Sequence, residues 1–250
     1  MEKWAGSLAV VTGASAGVGA AISTELVKAG INVVGIGRRV EKIDELSESL
    51  ADAPAKLHSL YCDLSDEQEI LNAFKWIEET LGPISIMINN AGVLHLTTLR
   101  EADVDKLRDT FKVNVLAYCI CQREAIKSMK TNEIDGIIIN ISSVMGLKVP
   151  DIDSLDLVGQ NLYPATKHAI HSISDTLRLE LRKESSKIRV TIVSPGAVAS
   201  ELRREFSESE LNERPMMKCE DVAKTVIYIL STPPNVQIQD IVIRPIWESI

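Results

Sequence analysis

Tyr163 and Lys167 are the two side chains whose types and spacing most directly indicate chemistry. They lie four residues apart in a stretch predicted to be helical, so both should project from one helix face. Pro164 lacks an N–H and places the pair in the first helical turn, where a missing donor costs nothing. A lysine ammonium beside a phenol favours the phenolate and lowers the tyrosine pKa, as an acid–base catalyst requires. Taken alone, the same spacing is also common on helix surfaces.

A glycine-rich turn supplies a second candidate site. Residues 12–19 follow the first predicted strand, have the spacing G-x-x-x-G-x-G and lead into a helix. Glycines allow close backbone approach, and a helix N-terminus presents unpaired N–H groups and a positive dipole end to a diphosphate. A purely structural turn is the alternative, but the strand–turn–helix context favours a dinucleotide site. We predict that this site comprises Gly13, Ser15, Gly17, Val18 and Gly19.

The end of the second predicted strand indicates which dinucleotide would bind. An NAD-selective site needs an acid there to accept hydrogen bonds from the ribose 2′-hydroxyl, yet residues 33–39 contain none. Arg38 and Arg39 stand in its place, and a guanidinium can pair with a 2′-phosphate. We therefore predict NADP rather than NAD, with Ser15 as an additional phosphate donor. The alternative is that either arginine is a solvated residue at the start of the next helix.

Short β-branched segments alternate with longer amphipathic stretches along the whole chain, which predicts an α/β fold. Residues 137–139 and 190–193 are apolar or β-branched at consecutive positions, as expected of strands covered on both faces. We predict a single Rossmann-type domain over residues 1–250, a doubly wound parallel sheet of about seven strands with helices on both faces. Ser65 is a candidate N-cap. The predicted strands are 8–12, 32–37, 56–61, 84–89, 136–141, 189–193 and 241–243, and the predicted helices are 17–29, 40–51, 66–81, 103–131, 160–184 and 220–230.

Composition excludes several classes of function. The net charge of −8 repels nucleic acid, and no apolar run approaches the ~18 residues of a membrane span. Four cysteines are too few for a disulfide scaffold. Neither the cysteines nor the four histidines show metal-ligand spacing, so we predict no metal. With no signal-type segment at the start, a cytoplasmic location is expected.

The motifs together resemble the short-chain dehydrogenase/reductase family over nearly the whole chain. That resemblance implies hydride exchange between a nicotinamide and an alcohol or carbonyl, with Tyr163 as the proton donor or acceptor. The matching segments, in family order, are residues 12–19, Asp63-Leu64, residues 89–92, Asn114, Ser142-Ser143 with Gly146, residues 163–167 and Pro195-Gly196.

The resemblance also assigns catalytic roles. Lys167 would bind the nicotinamide ribose and lower the pKa of Tyr163. Of the two adjacent serines, Ser143 is the one followed by x-x-Gly and would orient the carbonyl, with Ser142 as its neighbour. Asn114 would sit at a local break in a long helix and hold a proton-relay water against Lys167.

Further cofactor contacts follow from the same resemblance. Asp63 would bind the adenine amino group, Asn90 would lie beside the adenosine ribose, and Val198 would contact the carboxamide. Ser200 stands where the family more often has threonine. The remaining residues implied in cofactor binding are Leu64, Ala91, Gly92, Pro195 and Gly196, together with Tyr163 and Lys167.

Within the family the chain resembles the farnesol dehydrogenase-like branch, which also contains NADP-dependent carbonyl and keto-steroid reductases. The residues that carry this resemblance are 1–4, the pair Arg38-Arg39, and the C-terminal stretches 220–223, 231–233 and 243–245. This similarity implies an apolar alcohol or carbonyl substrate, with a farnesol-type isoprenoid favoured over retinal, a keto-steroid or a general carbonyl compound. The family is commonly a homodimer or homotetramer through its two longest helices. A catalytically silent scaffold that senses dinucleotides is the non-enzyme alternative.

Residues 197–218 are expected to form a lid over the substrate. Leu202 and Phe206 lie four positions apart among many charged residues, which gives one apolar and one charged side if the segment is helical. The alternative is a permanently packed surface helix. His95 could also face the substrate, and the long acidic stretch 149–159 could shape the entrance.

Overall fold

The computed structural model describes residues 1–149, 161–203 and 215–248. A seven-stranded parallel sheet forms its centre, which confirms the predicted fold class. The strands are β1 (Leu8–Thr12), β2 (Asn32–Gly37), β3 (Leu57–Tyr61), β4 (Ile84–Asn89), β5 (Ile137–Ile141), β6 (Arg189–Pro195) and β7 (Asp240–Ile243). Their order in the sheet is β3-β2-β1-β4-β5-β6-β7.

Helices connect the strands, and one of them is interrupted. The predicted helix 103–131 is divided by a π-helical segment at Lys112–Leu116. Within the described ranges, no helix is both long and apolar enough to cross a membrane. The helices are α1 (Gly17–Lys28), α2 (Val40–Ser49), α3 (Glu67–Thr80), α4 (Val104–Phe111), α5 (Ala117–Thr131), α6 (Tyr163–Lys183) and α7 (Cys219–Ser231), with short 3-10 turns at Glu2–Trp4, Val144–Gly146 and Glu201–Arg203.

Two apolar clusters cover the two faces of the sheet. On β1, Ala9 and Val11 belong to the cluster that contains α1 and α7 residues, whereas Leu8 and Val10 belong to the cluster of α3 and α5. Side chains alternate between the faces of a strand, so a strand covered on both faces is apolar at most consecutive positions. This is the physical reason for the uninterrupted apolar runs in the sequence.

The strand order reverses between β1 and β4, and this reversal positions the site. Chain segments leave β1 and β4 toward opposite sides of the sheet, which opens a crevice at the carboxyl ends of these strands. The loops after β1, β4, β5 and β6 reach that edge. Each of these loops carries one of the predicted motifs.

The starts of α3 and α6 differ from the prediction for reasons that the structure shows. Asp66, not Ser65, is the N-cap of α3, because Asp66 Oδ1 accepts hydrogen bonds from the amides of Gln68 at 2.8 Å and Glu69 at 3.0 Å. The hydroxyl of Ser65 instead donates to Asp63. Helix α6 begins at Tyr163 rather than at residue 160, since Asn161 has a positive φ of 35° that is incompatible with a helix.

Candidate active site

Lys167 is buried between two tyrosine rings. Its Nζ lies 5.5 Å from the ring centre of Tyr163 and 5.4 Å from that of Tyr118. The carbonyl oxygen of Ile141, at the end of β5, accepts hydrogen bonds from Lys167 Nζ at 2.9 Å and from the Tyr118 hydroxyl at 3.0 Å. One strand end therefore fixes the amine that stands beside the Tyr163 ring.

Burial changes the protonation of this amine. Removal from water lowers the pKa of Lys167 from 10.5 to about 7, because the charged form loses its hydration. The side chain is only 3% exposed. Lys167 is thus poised to gain or lose a proton near neutral pH.

Asn114 lies in the π-helical segment, where the sequence analysis expected a break, and is fully buried. Its amide nitrogen donates to the carbonyl of Val93 at 2.9 Å and to Thr166 Oγ1 at 3.2 Å, and its Oδ1 accepts from the Val93 amide at 2.8 Å. An ideal Cβ placed on Gly92 would lie 3.5 Å from Asn114 Oδ1 and 3.9 Å from Lys167 Nζ. Both hydrogens of the Asn114 side-chain amide are already donated. A proton-relay water could therefore bind Asn114 only by donating a hydrogen bond to one of its oxygens.

The two serines after β5 have different surroundings. Ser142 Oγ donates to the backbone carbonyl of Lys167 at 3.2 Å, which ties β5 to α6. Ser143 caps the following 3-10 turn by accepting from the amide of Met145 at 3.2 Å. Both border the cavity described below, and the contacts leave Ser143 as the better candidate to meet a substrate.

The glycine turn is held against the loop after β4. Thr12 Oγ1 accepts hydrogen bonds from the amides of Asn90 at 2.9 Å and Ala91 at 3.1 Å, while the Asn90 side chain donates to the Thr12 carbonyl at 2.9 Å. Gly19 packs so closely that an ideal Cβ there would lie 2.2 Å from the carbonyl oxygen of Gly13. The residues between them lead into the first turn of α1, which begins at Gly17, so the backbone there forms a cradle free of bulky side chains.

The arginine pair stands at the mouth of this cradle. Arg39 donates to Ser15 Oγ at 3.1 Å and pairs with Glu201 at 2.8 Å, which links the glycine turn to the loop after β6. Arg38 is also exposed and borders the same space. Burial acts to raise the pKa of Asp63, but hydrogen bonds from Ser65 and the positive charge of Arg38 outweigh it and lower that pKa.

A cavity of about 530 Å³ joins these groups into one site. It extends from the arginine pair to Tyr163. Gly19 and Asn114 lie behind its wall. The predicted residues that line it are Gly13, Ser15, Gly17, Val18, Arg38, Arg39, Asp63, Leu64, Asn90, Ala91, Gly92, His95, Ser143, Tyr163, Lys167, Pro195, Gly196, Val198, Ser200 and Leu202.

A separate groove of about 460 Å³ lies between α5 and α6. Its wall includes Cys119, Ile126, Ile173 and Leu177 but none of the acid–base residues. The cavity at the strand ends is therefore the candidate active site, although this groove is comparable in size.

The predicted substrate residues are only partly described. His95 Nε2 lies 3.4 Å from Asp109 Oδ2, and both side chains border the cavity. Leu202 borders it as well, while Phe206 lies outside the described residues. A short parallel bridge between Val198 and Met217 joins the two ends of the predicted lid. Residues 204–214 of that segment lie outside the described residues, so the lid stays a prediction.

The cavity suits a dinucleotide phosphate. Only glycine is compatible with the backbone approach at Gly13 and Gly19, and the N-terminus of α1 opens toward the same space. Two guanidiniums supply positive charge at one end of the cavity. The residues present thus fit a nicotinamide dinucleotide, whose phosphates would lie at the α1 end of the cavity.

Sequence analysis assigned no individual contact to three residues of the site. Tyr118 holds Lys167 in place and could have been noticed four positions after Asn114, on the same helical face. Thr12 secures the loop after β4 through its hydroxyl. Glu201 pairs with Arg39 across 162 positions of sequence, and nothing in the local sequence indicates that contact.

The fold and this constellation correspond to a known family. Residues 7–211 match the family model described as short chain dehydrogenase. The chain belongs to the short-chain dehydrogenase family, and the protein is an oxidoreductase that uses a nicotinamide cofactor.

Individual relatives cover nearly the whole chain. The sequence is 43% identical to farnesol dehydrogenase of Aedes aegypti, across 99% of both chains. It is 44% identical to human dehydrogenase/reductase SDR family member 11, across 98% of this chain and 96% of that protein. The structure resembles a metagenomic short-chain oxidoreductase in complex with NADP, with a TM-score of 0.81 and 28% identity over 98% and 99% of the two chains.

Proposed function

We propose that the protein exchanges a hydride between NADP(H) and the alcohol or carbonyl carbon of an apolar substrate. The observation that carries this proposal is the placement of Lys167 Nζ beside the Tyr163 ring, at one end of a cavity whose other end carries Arg38 and Arg39. The bound cofactor would supply or accept the hydride, and the protein's own residues would manage the proton.

In the direction of reduction, the Tyr163 hydroxyl donates a proton to the substrate oxygen as it gains negative charge. Protonated Lys167 then stabilises the phenolate that remains, since opposite charges attract strongly in a buried site. Ser143 donates a hydrogen bond to the same substrate oxygen and fixes its orientation. Lys167 would then pass a proton to the Tyr163 phenolate and recover one in turn from solvent through a water held by Asn114. Oxidation of an alcohol uses the same groups in reverse.

NADP rather than NAD is supported by the charges at the mouth of the cavity. Arg38 and Arg39 occupy the end of β2, and the acid that would favour a ribose hydroxyl and repel a 2′-phosphate is absent from this strand end. The NADP complex of a structural relative at 28% identity agrees with this choice. We infer that Arg38 contacts the 2′-phosphate directly and that Arg39 joins it on leaving Glu201.

The substrate proposal is a farnesol-type isoprenoid alcohol or its aldehyde. Support comes from the name of the Aedes aegypti relative and from apolar Leu202 at the cavity wall. Retinal, keto-steroids and general carbonyl compounds are the alternatives. His95 and Phe206 are proposed to contact the distal part of the substrate, beneath a lid formed by residues 197–218.

We further propose one domain over residues 1–250, because strands from both ends of the chain share one sheet.

A homodimer or homotetramer would form through α5 and α6, whose outer groove contains apolar Ile126, Ile173 and Leu177. Sedimentation of the purified protein tests the assembly. A monomer at micromolar concentration would contradict it.

The test of function is a turnover screen with purified protein. NADPH and NADH consumption are measured with farnesal, retinal, keto-steroids and small dicarbonyls, and NADP reduction with farnesol. Activity should require NADPH, and Tyr163→Phe should lower turnover by roughly 10²–10⁴ while NADPH still binds. A protein that binds NADPH without turning over any of these classes would favour the silent-scaffold alternative, and equal use of NADH would contradict the cofactor assignment.

A further inference from the structure

The residues that follow β7 return to the turn at the end of β6. Glu248 accepts a hydrogen bond from the backbone amide of Ala197 at 2.7 Å. The Glu248 side chain is only 15% exposed although it carries a charge. A carboxylate in this position replaces water as the partner of the Ala197 amide.

Glycine at position 196 makes this approach possible. An ideal Cβ on Gly196 would lie 2.0 Å from Glu248 Oε2, so any larger residue would displace the carboxylate. The amide of Gly196 also donates to the Ile243 carbonyl at 2.8 Å, which continues the pairing of β6 with β7. Position 196 is therefore closed by the chain that follows β7 on the side to which a Cβ would point.

Arg244 holds the carboxylate in place. Its Nε lies 3.0 Å from Glu248 Oε2, and its Nη2 donates to the backbone carbonyl of Glu248 at 2.7 Å. The two contacts fold residues 244–248 into a clamp on the turn. Hydrogen bonds in which a partner is ionised are the stronger kind, so Ala197 is held more firmly than by a neutral acceptor.

The same turn borders the candidate active site, and Glu248 is not among the residues that line the cavity. Pro195, Gly196 and Val198 all line the cavity, and Val198 is fixed on its far side by the bridge to Met217. The Ala197 amide lies between these cavity-lining residues in sequence. A displacement of this amide therefore moves the backbone that faces the nicotinamide end of the site.

We propose that Glu248 is a positioning residue for the nicotinamide half of the cofactor. It does not touch the cofactor. It fixes the turn from Pro195 to Val198. The backbone that would bind the carboxamide is therefore ordered before the cofactor arrives, which lowers the entropic cost of binding. This inference rests on the proposed function and on the contact between Val198 and the carboxamide that the family resemblance implies.

The test compares two ligands that share one half. NADPH and 2′-phospho-ADP-ribose have the same adenosine, 2′-phosphate and diphosphate, but only NADPH carries nicotinamide. Isothermal titration of both ligands into purified Glu248→Ala should show about a tenfold loss of NADPH affinity, with 2′-phospho-ADP-ribose affinity changed by less than about twofold. Glu248→Gln keeps an oxygen acceptor for the Ala197 amide and should lose less than Glu248→Ala.

Glu25→Gln is the matched control. Glu25 also forms an ion pair, with Lys28 at 3.2 Å, but it lies on α1, away from the turn. Its affinities for both ligands should equal those of the unmodified protein. If Glu248→Ala does not fold, Glu248→Asp shortens the reach of the carboxylate and should give the same selective loss.

Two results would overturn the inference alone. Equal losses for both ligands would mean a general structural role for Glu248, and unchanged NADPH affinity would mean that the turn needs no clamp. A third result concerns the unmodified protein. If it binds NADPH and 2′-phospho-ADP-ribose with equal affinity, both the assignment of Val198 and this inference are wrong. That outcome shows in the unmodified protein before any variant is made, so the two failures are distinguishable.

Discussion

Replacing Lys167 with methionine should stabilise the folded protein at neutral and acidic pH while abolishing its proposed catalysis. Burial lowers the pKa of Lys167 from 10.5 to about 7. At ~1.4 kcal/mol for each pKa unit, the protonated amine is ~5 kcal/mol less favourable in the folded than in the unfolded chain. Methionine has a similar length and carries no charge.

Part of this gain is offset by lost contacts. The variant loses the hydrogen bond from Nζ to the Ile141 carbonyl, worth ~1 kcal/mol, and the attraction of the cation to two tyrosine rings. The Ile141 carbonyl keeps its bond from the Tyr118 hydroxyl. A net stabilisation of roughly 2–4 kcal/mol at pH 6 is therefore expected.

The effect has a definite dependence on pH. Below about pH 7 the lysine is protonated in both states, so the whole penalty is present. Between pH 7 and 10.5 the unfolded chain binds a proton that the folded chain does not, and the stability of the unmodified protein rises with pH. Above 10.5 the penalty disappears. The advantage of Lys167→Met should thus shrink as the pH increases.

Urea unfolding followed by circular dichroism, without cofactor, at pH 6, 7, 8, 9 and 10 measures this difference. Lys75→Met is the control, since the Lys75 side chain is 72% exposed and its replacement should change stability by the same small amount at every pH. A stability difference for Lys167→Met that stays constant from pH 6 to 10 would refute the burial argument. A destabilised variant at pH 6 would refute it as well.

Two further substitutions test the cofactor end of the site. Gly19→Ala would bring a Cβ within 2.2 Å of the Gly13 carbonyl and 2.6 Å of the Asn90 side chain, so NADPH affinity in a fluorescence titration should fall at least tenfold; unchanged affinity would show that the cradle tolerates a shift. Arg38→Asp should lower kcat/KM with NADPH by about 100-fold and favour NADH, because it replaces a phosphate partner with a repelling charge. A preserved NADPH preference would place the 2′-phosphate elsewhere.

The fold was largely predictable because its strands are buried on both faces. Residues 137–139 and 190–193 are buried in the structure, and their composition indicated this burial. The helices predicted between successive strands indicated that the strands are parallel. The helix break at Asn114, expected from the family resemblance, is present in the structure. Helix starts were less accurate, since the choice between Ser65 and Asp66 as the cap of α3 depends on side-chain geometry that the sequence leaves open.

The site was predictable where motifs follow a strand or open a helix. Tyr163 and Lys167 lie at the start of α6, and the glycine turn follows β1. Both border one cavity at the same edge of the sheet, and their roles stay predictions. Contacts between distant segments were not predictable. Glu201 meets Arg39, and Glu248 meets Ala197, only because loops from different strands converge, and no local pattern records that convergence.

The bridge between Val198 and Met217 has a consequence for how substrate range can diversify. The amide of Ala199 donates to the Met217 carbonyl and the amide of Met217 donates to the Ala197 carbonyl, each at 2.9 Å, so the segment leaves and rejoins the sheet side by side. Lengthening a loop with adjacent ends costs only about 0.6 kcal/mol for each doubling. Residues between those ends can accordingly be inserted, deleted or exchanged while β6 and α7 keep their places. If residues 199–216 contact the substrate as proposed, exchange of this segment could change the substrate while Tyr163 and Lys167 stay unchanged.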